Sequence, residues 1–416
     1  MIFRYKRFFI LLLYSLLPLV VFPQTRSLDY YLNEGIRNSP LLRDLQNRLN
    51  TTSFDTLLLQ AANKPQIEAV SQLLYSPVYG KFGYDEVITD GGNYQAVAAV
   101  SKSIFNRKEI ENKYKAIGIK SQSVRNSAKL TVAEMKKAIT NQFLTCCSDF
   151  SELSFNLSFF ELMQSENEIV KQFVNNGICN QTDYLSLIVE TQGQEVLVNH
   201  LRNQYRKNLR ILNQLCGLND TALYELQVPQ IDLQGVVNIS VSPLFNQFII
   251  DSLNIVNEKS AIDFRYKPKV SWFADAGVLT STPLNFYRHF GYSAGISLNM
   301  PIYDGHQKSI EKQKLDLSEN TRLSYKSNFR KQYDQQILQL KEELKGMREV
   351  KAQLEKQLAT SKQLTTSLKA QLETGIIQMT EYLNSIKNFR NINRNLNLVR
   401  IQILQIINEM NYLATL

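Results

Sequence analysis

The chain has 416 residues, 44% of them apolar and 20% charged, with four cysteines and a net charge of +9. That excludes a disordered tail and a disulfide-stapled mini-protein, and it leaves length for two ordinary domains. The charges are interspersed, and no aromatic–basic constellation occurs, so they read as solvated helix faces and not as a nucleic-acid surface.

At the N-terminus Arg4, Lys6 and Arg7 precede an apolar run from Phe8 to Phe22. This is the plan of a secretory signal peptide over residues 1–24, too short and wrongly flanked for a membrane span. Cleavage is expected between Pro23 and Ser27. Losing three cations brings the excess from +9 to about +6. No other run approaches the ~18 apolar residues of a membrane helix, so any membrane segment here must be made of strands. Cys146, Cys147, Cys179 and Cys216 have no metal-ligand spacing, and a disulfide between the neighbours Cys146 and Cys147 would be strained. They read as small buried apolar residues.

Residues 28–62 have a helical pattern with a start signal at Ser39–Pro40, and Lys64–Pro65 ends it. Residues 66–79 and 92–104 read as two strands joined by a loop containing Gly80, Gly83, Gly91 and Gly92. Asn106 with Glu109 is a capping box opening a helix to about Val174. Gly177 interrupts, and a second helix runs from about Thr182 to Leu215, ended by Gly217. Residues 218–240 form an irregular connector.

The plan then repeats. Ser242–Pro243–Leu244 lies 203 residues after Ser39–Pro40–Leu41, and Lys267–Pro268 lies 203 after Lys64–Pro65. Past the strand loop the offset becomes 198: Tyr94 matches Tyr292, Asn106 matches Asp304, Gly177–Ile178 matches Gly375–Ile376, and Tyr184–Leu185 matches Tyr382–Leu383. Punctuation at a constant offset marks a tandem duplication. The parse is a signal peptide over 1–24, a first repeat over 25–217, a connector over 218–240 and a second repeat over 241–416.

Within the second repeat, Phe290 to Met300 alternates without a break. Phe290, Tyr292, Ala294, Ile296, Leu298 and Met300 share one face, and Gly291, Ser293, Gly295, Ser297 and Asn299 share the other. Apolar outside and small or polar inside, over about ten residues, matches one strand of a membrane β-barrel. Aromatic residues at the strand ends, Tyr75, Tyr79, Tyr94, Phe286, Tyr287 and Phe290 among them, suit interfacial girdles in outer-membrane lipid. Pro301 ends the strand, and Asp304 with Gln307 opens a helix carried to about residue 373.

Both long helices carry heptads. Eight of eleven seam positions from Ile337 to Leu372 are apolar, as are all eleven from Met379 to Leu413. Two such helices joined at Gly375 form an antiparallel coiled-coil hairpin. The ~69 residues from Asp304 to Leu372 would span about 100 Å. Four strands cannot close a barrel, and open edges are not tolerated in lipid, so other copies must complete the ring. The fold class is mainly α with a small β part.

In this order of elements the chain resembles the TolC family of outer-membrane efflux proteins: signal peptide, duplicated strand–strand–long helix–Gly–helix plan, and the PIYDG junction at residues 301–305. The resemblance covers nearly all of the mature chain. It implies a homotrimer with a 12-stranded β-barrel in the outer membrane and an α-barrel of helical hairpins reaching into the periplasm. It also implies docking onto a periplasmic adaptor and an inner-membrane pump, in efflux or type I secretion, with no cofactor and no chemical step. By carry-over, Glu381 and Asn384 take the aperture positions, and Thr182 and Asp183 the gate positions. The gate partners would be Leu372 and Ile377, which cannot form the family's polar link, so apolar closure is expected. The turns with Asn176, Gly177, Ile178, Thr374, Gly375 and Ile376 are the candidates for adaptor docking. The plain alternative for Asp183 and Glu381 is a first-turn acid favoured by the helix dipole.

An enzyme is not expected: His200, His289 and His306 are not spaced for a metal, and no nucleophile motif or phosphate loop is present. A periplasmic adaptor, or a non-conducting coiled-coil scaffold, remains the alternative.

Overall fold

The computed structural model describes residues 26–77, 79–80, 82–84, 91–104, 107–177, 180–233, 242–282, 284 and 286–415. The expected signal peptide, Asn106, Ile178, Cys179 and the connector beyond residue 233 lie outside the described residues.

The elements are α1 (Leu28–Asn38), α2 (Pro40–Ala62), β1 (Gln66–Ser76), β2 (Gly91–Ile104), α3 (Arg107–Asn175), α4 (Gln181–Leu215), α5 (Pro243–Arg265), β3 (Lys269–Thr280), β4 (Phe290–Asn299), α6 (Gln307–Glu373) and α7 (Met379–Thr415). Some boundaries differ from the sequence reading. The first helical stretch is broken at Ser39, which stays extended because a residue before proline is excluded from the α region. Its counterpart Ser242 caps α5 by accepting from the Phe245 N–H at 3.3 Å. The first strand stops at Ser76, while Gly91 and Gly92 pair with Ser76 and Tyr75 and so belong to β2, not to the loop. His306 precedes the helix, at φ 69°. Asp304 caps that helix, accepting from the backbone N–H groups of His306 and Lys308, both at 3.0 Å.

The chain divides into two compact units. One holds the described residues of Leu41–Thr131 and Val237–Asp334, and contains the sheet. Its four strands are antiparallel in the order β1-β2-β3-β4, leaving β1 and β4 as edges. The duplication is written into the register: Val70 pairs with Val97, and Phe273 with Gly295, offsets of 203 and 198 from those two residues. Directly paired residues share a face. One face is built from Ile67, Ala69, Leu73, Val100, Ala98, Trp272, Ala274, Ile296 and Tyr292; the other from Gln66, Glu68, Gln72, Ser101, Asp275, Ser293 and Ser297, with Phe273 its aromatic member. Helices α2 and α5 lead into β1 and β3. Asp55–Lys120 ties α2 to α3, and Asp263–Lys312 ties α5 to α6, each at 2.8 Å.

The other unit holds the described residues of Met1–Pro40 and Val132–Val236, with Gln335–Thr415. Helices α3 with α4, and α6 with α7, form antiparallel hairpins. All eleven seam positions on α7, from Met379 to Leu413, are buried or half-buried, as are all eleven on α6 from Ile337 to Leu372. The heptad is therefore the packing rule, as in a coiled coil. One core cluster centres on Tyr31, Phe143, Leu144, Tyr205 and Leu212, and takes in Cys146, Cys147 and Cys216.

Candidate functional site

The hairpin ends are built from local rules. Gly375 has φ 71°, and Ile376 N–H reaches Gln371 O while Gly375 N–H reaches Leu372 O, both at 3.0 Å. This pair of bonds is a Schellman motif, whose left-handed residue is naturally glycine. Gly177, its duplicate, has φ 72° and bonds to Val174 O. In these turns Asn176, Thr374 and Ile376 are exposed, Ile376 by 73%, and Thr374 Oγ1 donates back to Gln371 O at 3.0 Å.

Asp183 and Glu381 occupy the first turns of α4 and α7, which matches the dipole-favoured placement of an acid. Asp183 is half-buried, whereas Thr182, Glu381 and Asn384 are exposed. Among the described residues neither carboxylate has a side-chain partner. Leu372 and Ile377 sit elsewhere: they join a cluster with Met163, Val170, Leu187, Met379, Tyr382 and Ile386 that binds the two hairpins of one chain together. Tyr382, whose hydroxyl is pushed up to about 12 by burial, belongs to this cluster.

Polar contacts between the hairpins escaped the sequence reading. Lys369 of α6 meets Glu166 of α3 at 2.5 Å, and Lys387 of α7 meets Glu190 of α4 at 2.8 Å. Arg394 of α7 pairs with Glu152 of α3 at 3.0 Å. Burial raises the Glu152 carboxyl above its ordinary range, and Arg394 opposes that. Arg390 donates to Gln194 Oε1 at 2.8 Å, and the buried Gln194 amide donates to Asn156. Partners some 200 residues apart leave no signal in a single sequence.

The second candidate surface is the sheet. Its apolar face is exposed, Tyr292 by 90% and Ile296 by 77%. Its opposite face is polar at Ser293, which donates to Asp275 at 2.7 Å. The edges β1 and β4 offer open rows of backbone donors and acceptors.

No protein-family model matches the chain, and no curated protein matches it. Solved structures do. A membrane protein from Pseudomonas aeruginosa superposes at a TM-score of 0.75 with 12% identity, over 93% of this chain and 90% of the other. The outer membrane protein VceC from Vibrio cholerae gives 0.73 at 10% identity, over 93% and 96%. The Campylobacter jejuni CmeC outer membrane channel gives 0.73 at 10% identity, over 95% and 90%. The chain is thus similar over almost its whole length to outer-membrane channels, and its fold is that of the TolC family.

Proposed function

We propose that this chain is the outer-membrane exit duct of a tripartite efflux or type I secretion system. Three copies join edge to edge, twelve strands line a pore through the outer membrane, and the hairpins continue it into the periplasm. Substrates pass through unchanged, so no catalytic group takes part. The signal peptide sends the chain across the inner membrane.

The observation that carries this reading is the sheet: four strands with one apolar face, one small and polar face, and two open edges. Such a sheet is stable in lipid only when its edges are closed by further strands. The fold similarity to outer-membrane channels supports the same conclusion.

At the periplasmic end the tip turns around Gly177 and Gly375 receive the adaptor, and Asp183 and Glu381 set the charge of the aperture. The cluster around Leu372, Ile377 and Tyr382 holds the closed tip by apolar contact, in place of the polar link implied by the family resemblance. Extraction of membranes with carbonate and high salt tests the placement. A β-barrel stays with the membrane; a periplasmic adaptor without a lipid anchor comes off, which would overturn the reading.

A further inference from the structure

Helix α4 and the segment that follows it bound a cavity of about 310 Å³. Arg206, Arg210 and Asn213 line its helix side, at spacings of four and three that put them on one face. Asp220, Thr221 and Leu223 line the other side.

Three polar groups on this wall are unspent. Asn213 is 2% exposed, and its Nδ2 donates to the Asp220 carbonyl at 2.8 Å, but its Oδ1 is buried with no partner. A buried acceptor without a donor is costly to keep. Arg206 and Arg210 are exposed, and among the described residues neither guanidinium has a partner. Asp220 is fully engaged by contrast: its Oδ2 accepts from Arg26 and from the Tyr224 hydroxyl, both at 2.6 Å, and its Oδ1 from the Ala222 N–H at 2.9 Å.

The duplication separates what serves the fold from what does not. The same face of α7, 198 residues on, carries Leu404, Asn408 and Asn411. Asn411 repeats the clamp of Asn213, donating to the Asp232 carbonyl at 2.9 Å, so the amide holds the following segment in both repeats. The arginines have no counterpart, and Leu404 packs against the core cluster around Tyr31. The two cations belong to the first repeat alone, where no contact among the described residues uses them.

We propose that this cavity binds the carboxylate of an N-acylated amino acid, the group that ends a peptide chain. Arg206 and Arg210 take the carboxylate oxygens through their planar forks, and the adjacent N–H donates to Asn213 Oδ1. A bare inorganic anion would leave most of the volume empty. The Asp220 carboxylate on the same wall weighs against ligands of higher negative charge. Binding here needs neither a ring of copies nor an open pore.

The test is a ligand-observed NMR titration of the detergent-extracted, full-length protein with N-acetylglycine, N-acetylsarcosine and inorganic phosphate. N-acetylglycine should saturate a site, and Arg206→Gln with Arg210→Gln should weaken it by about tenfold or more. N-acetylsarcosine keeps the carboxylate but carries a methyl group in place of the N–H. It should bind the unmodified protein about tenfold more weakly than N-acetylglycine. The double variant should keep the melting temperature of the unmodified protein, because both arginines are exposed and unpartnered. No saturable binding of N-acetylglycine, or undiminished binding by the double variant, would overturn the site. Equal affinity for the two acyl amino acids would overturn the donor to Asn213, and phosphate binding as tightly as N-acetylglycine would overturn the carboxylate.

Discussion

Lys369 and Glu166 join the two repeats six residues before Gly375, with a nitrogen-to-oxygen distance of 2.5 Å. The Glu166 side chain is 10% exposed and that of Lys369 38%, so the pair is only half shielded from solvent. Lys387 and Glu190 repeat the arrangement on the return helices. Around these pairs the hairpins touch through the cluster at Leu372, Met379 and Tyr382. Apolar burial supplies the cohesion, and the ion pairs fix the position of one hairpin against the other.

Glu166→Gln should therefore loosen the hairpin junction without unfolding it. The expected cost is roughly 1 kcal/mol, discounted for the exposed lysine. In planar bilayers its mean conductance should rise above that of the unmodified protein, and the swap Glu166→Lys with Lys369→Glu should bring it back. Equal conductance in all three would show that the pair has no part in closure.

Leu372→Asn places an unsatisfied amide in the tip cluster, where Leu372 is 6% exposed. It should cost about 2–4 kcal/mol and raise conductance more than neutralising Asp183 or Glu381 does. A larger rise from Asp183→Asn would return the gate to the charged positions.

Gly277 and Gly291 face each other across β3 and β4, yet they should respond differently to a methyl group. A Cβ on Gly277 would come 2.6 Å from Val97 Cα, while one on Gly291 meets nothing within 4 Å. Gly277→Ala should cost on the order of 1–3 kcal/mol and reduce the heat-resistant assembled band on gels. Gly291→Ala should leave that band unchanged.

Near the start of the described chain, Arg26 sits 3.8 Å from the centre of the Tyr224 ring and bonds to Asp220 at 2.6 Å. Asp220 is held down to about 2 by the Tyr224 hydroxyl first, then by the Ala222 N–H and Arg26. A carboxyl with a depressed value contributes stability above the ordinary aspartate range near pH 4, and that contribution is lost as pH falls through about 2. Asp220→Asn should flatten the acid limb of the melting temperature between about pH 4 and pH 2, leaving it lower at neutral pH.

The three described thiols should be inert. Burial pushes Cys147 up to about 12 and Cys216 up to about 11, and raises Cys146 further. Peptide mapping after maleimide treatment at pH 8 should find Cys146, Cys147 and Cys216 unlabelled in the folded protein and labelled after denaturation.

Much of this was legible in the residues because it is periodic. The heptads of α6 and α7 named the buried seams position by position, and the two offsets that marked the duplication recur in the strand register, where Val70–Val97 corresponds to Phe273–Gly295. Local punctuation was read less well. Gly91 resembled a loop but extends β2 by one residue beyond Gly92, because ladder pairing with Ser76 outweighs glycine's weak strand preference. The start signal at Ser39–Pro40 was legible, and the structure begins a new helix there instead of continuing one stretch over 28–62. The ion pairs between hairpins were invisible, since nothing local links Glu152 to Arg394. The tip fell between these cases: its acids were named through the family resemblance and lie in first helical turns, but burial of Leu372 and partial burial of Ile377 needed the fold.

Single-channel recording of the detergent-extracted protein in a planar bilayer decides whether this chain forms a conduit. A conduit with a closed tip gives discrete, uniform and small conductance steps, enlarged by Leu372→Asn. Protein that inserts as a three-chain species and passes no current, with the tip intact or substituted, would contradict it.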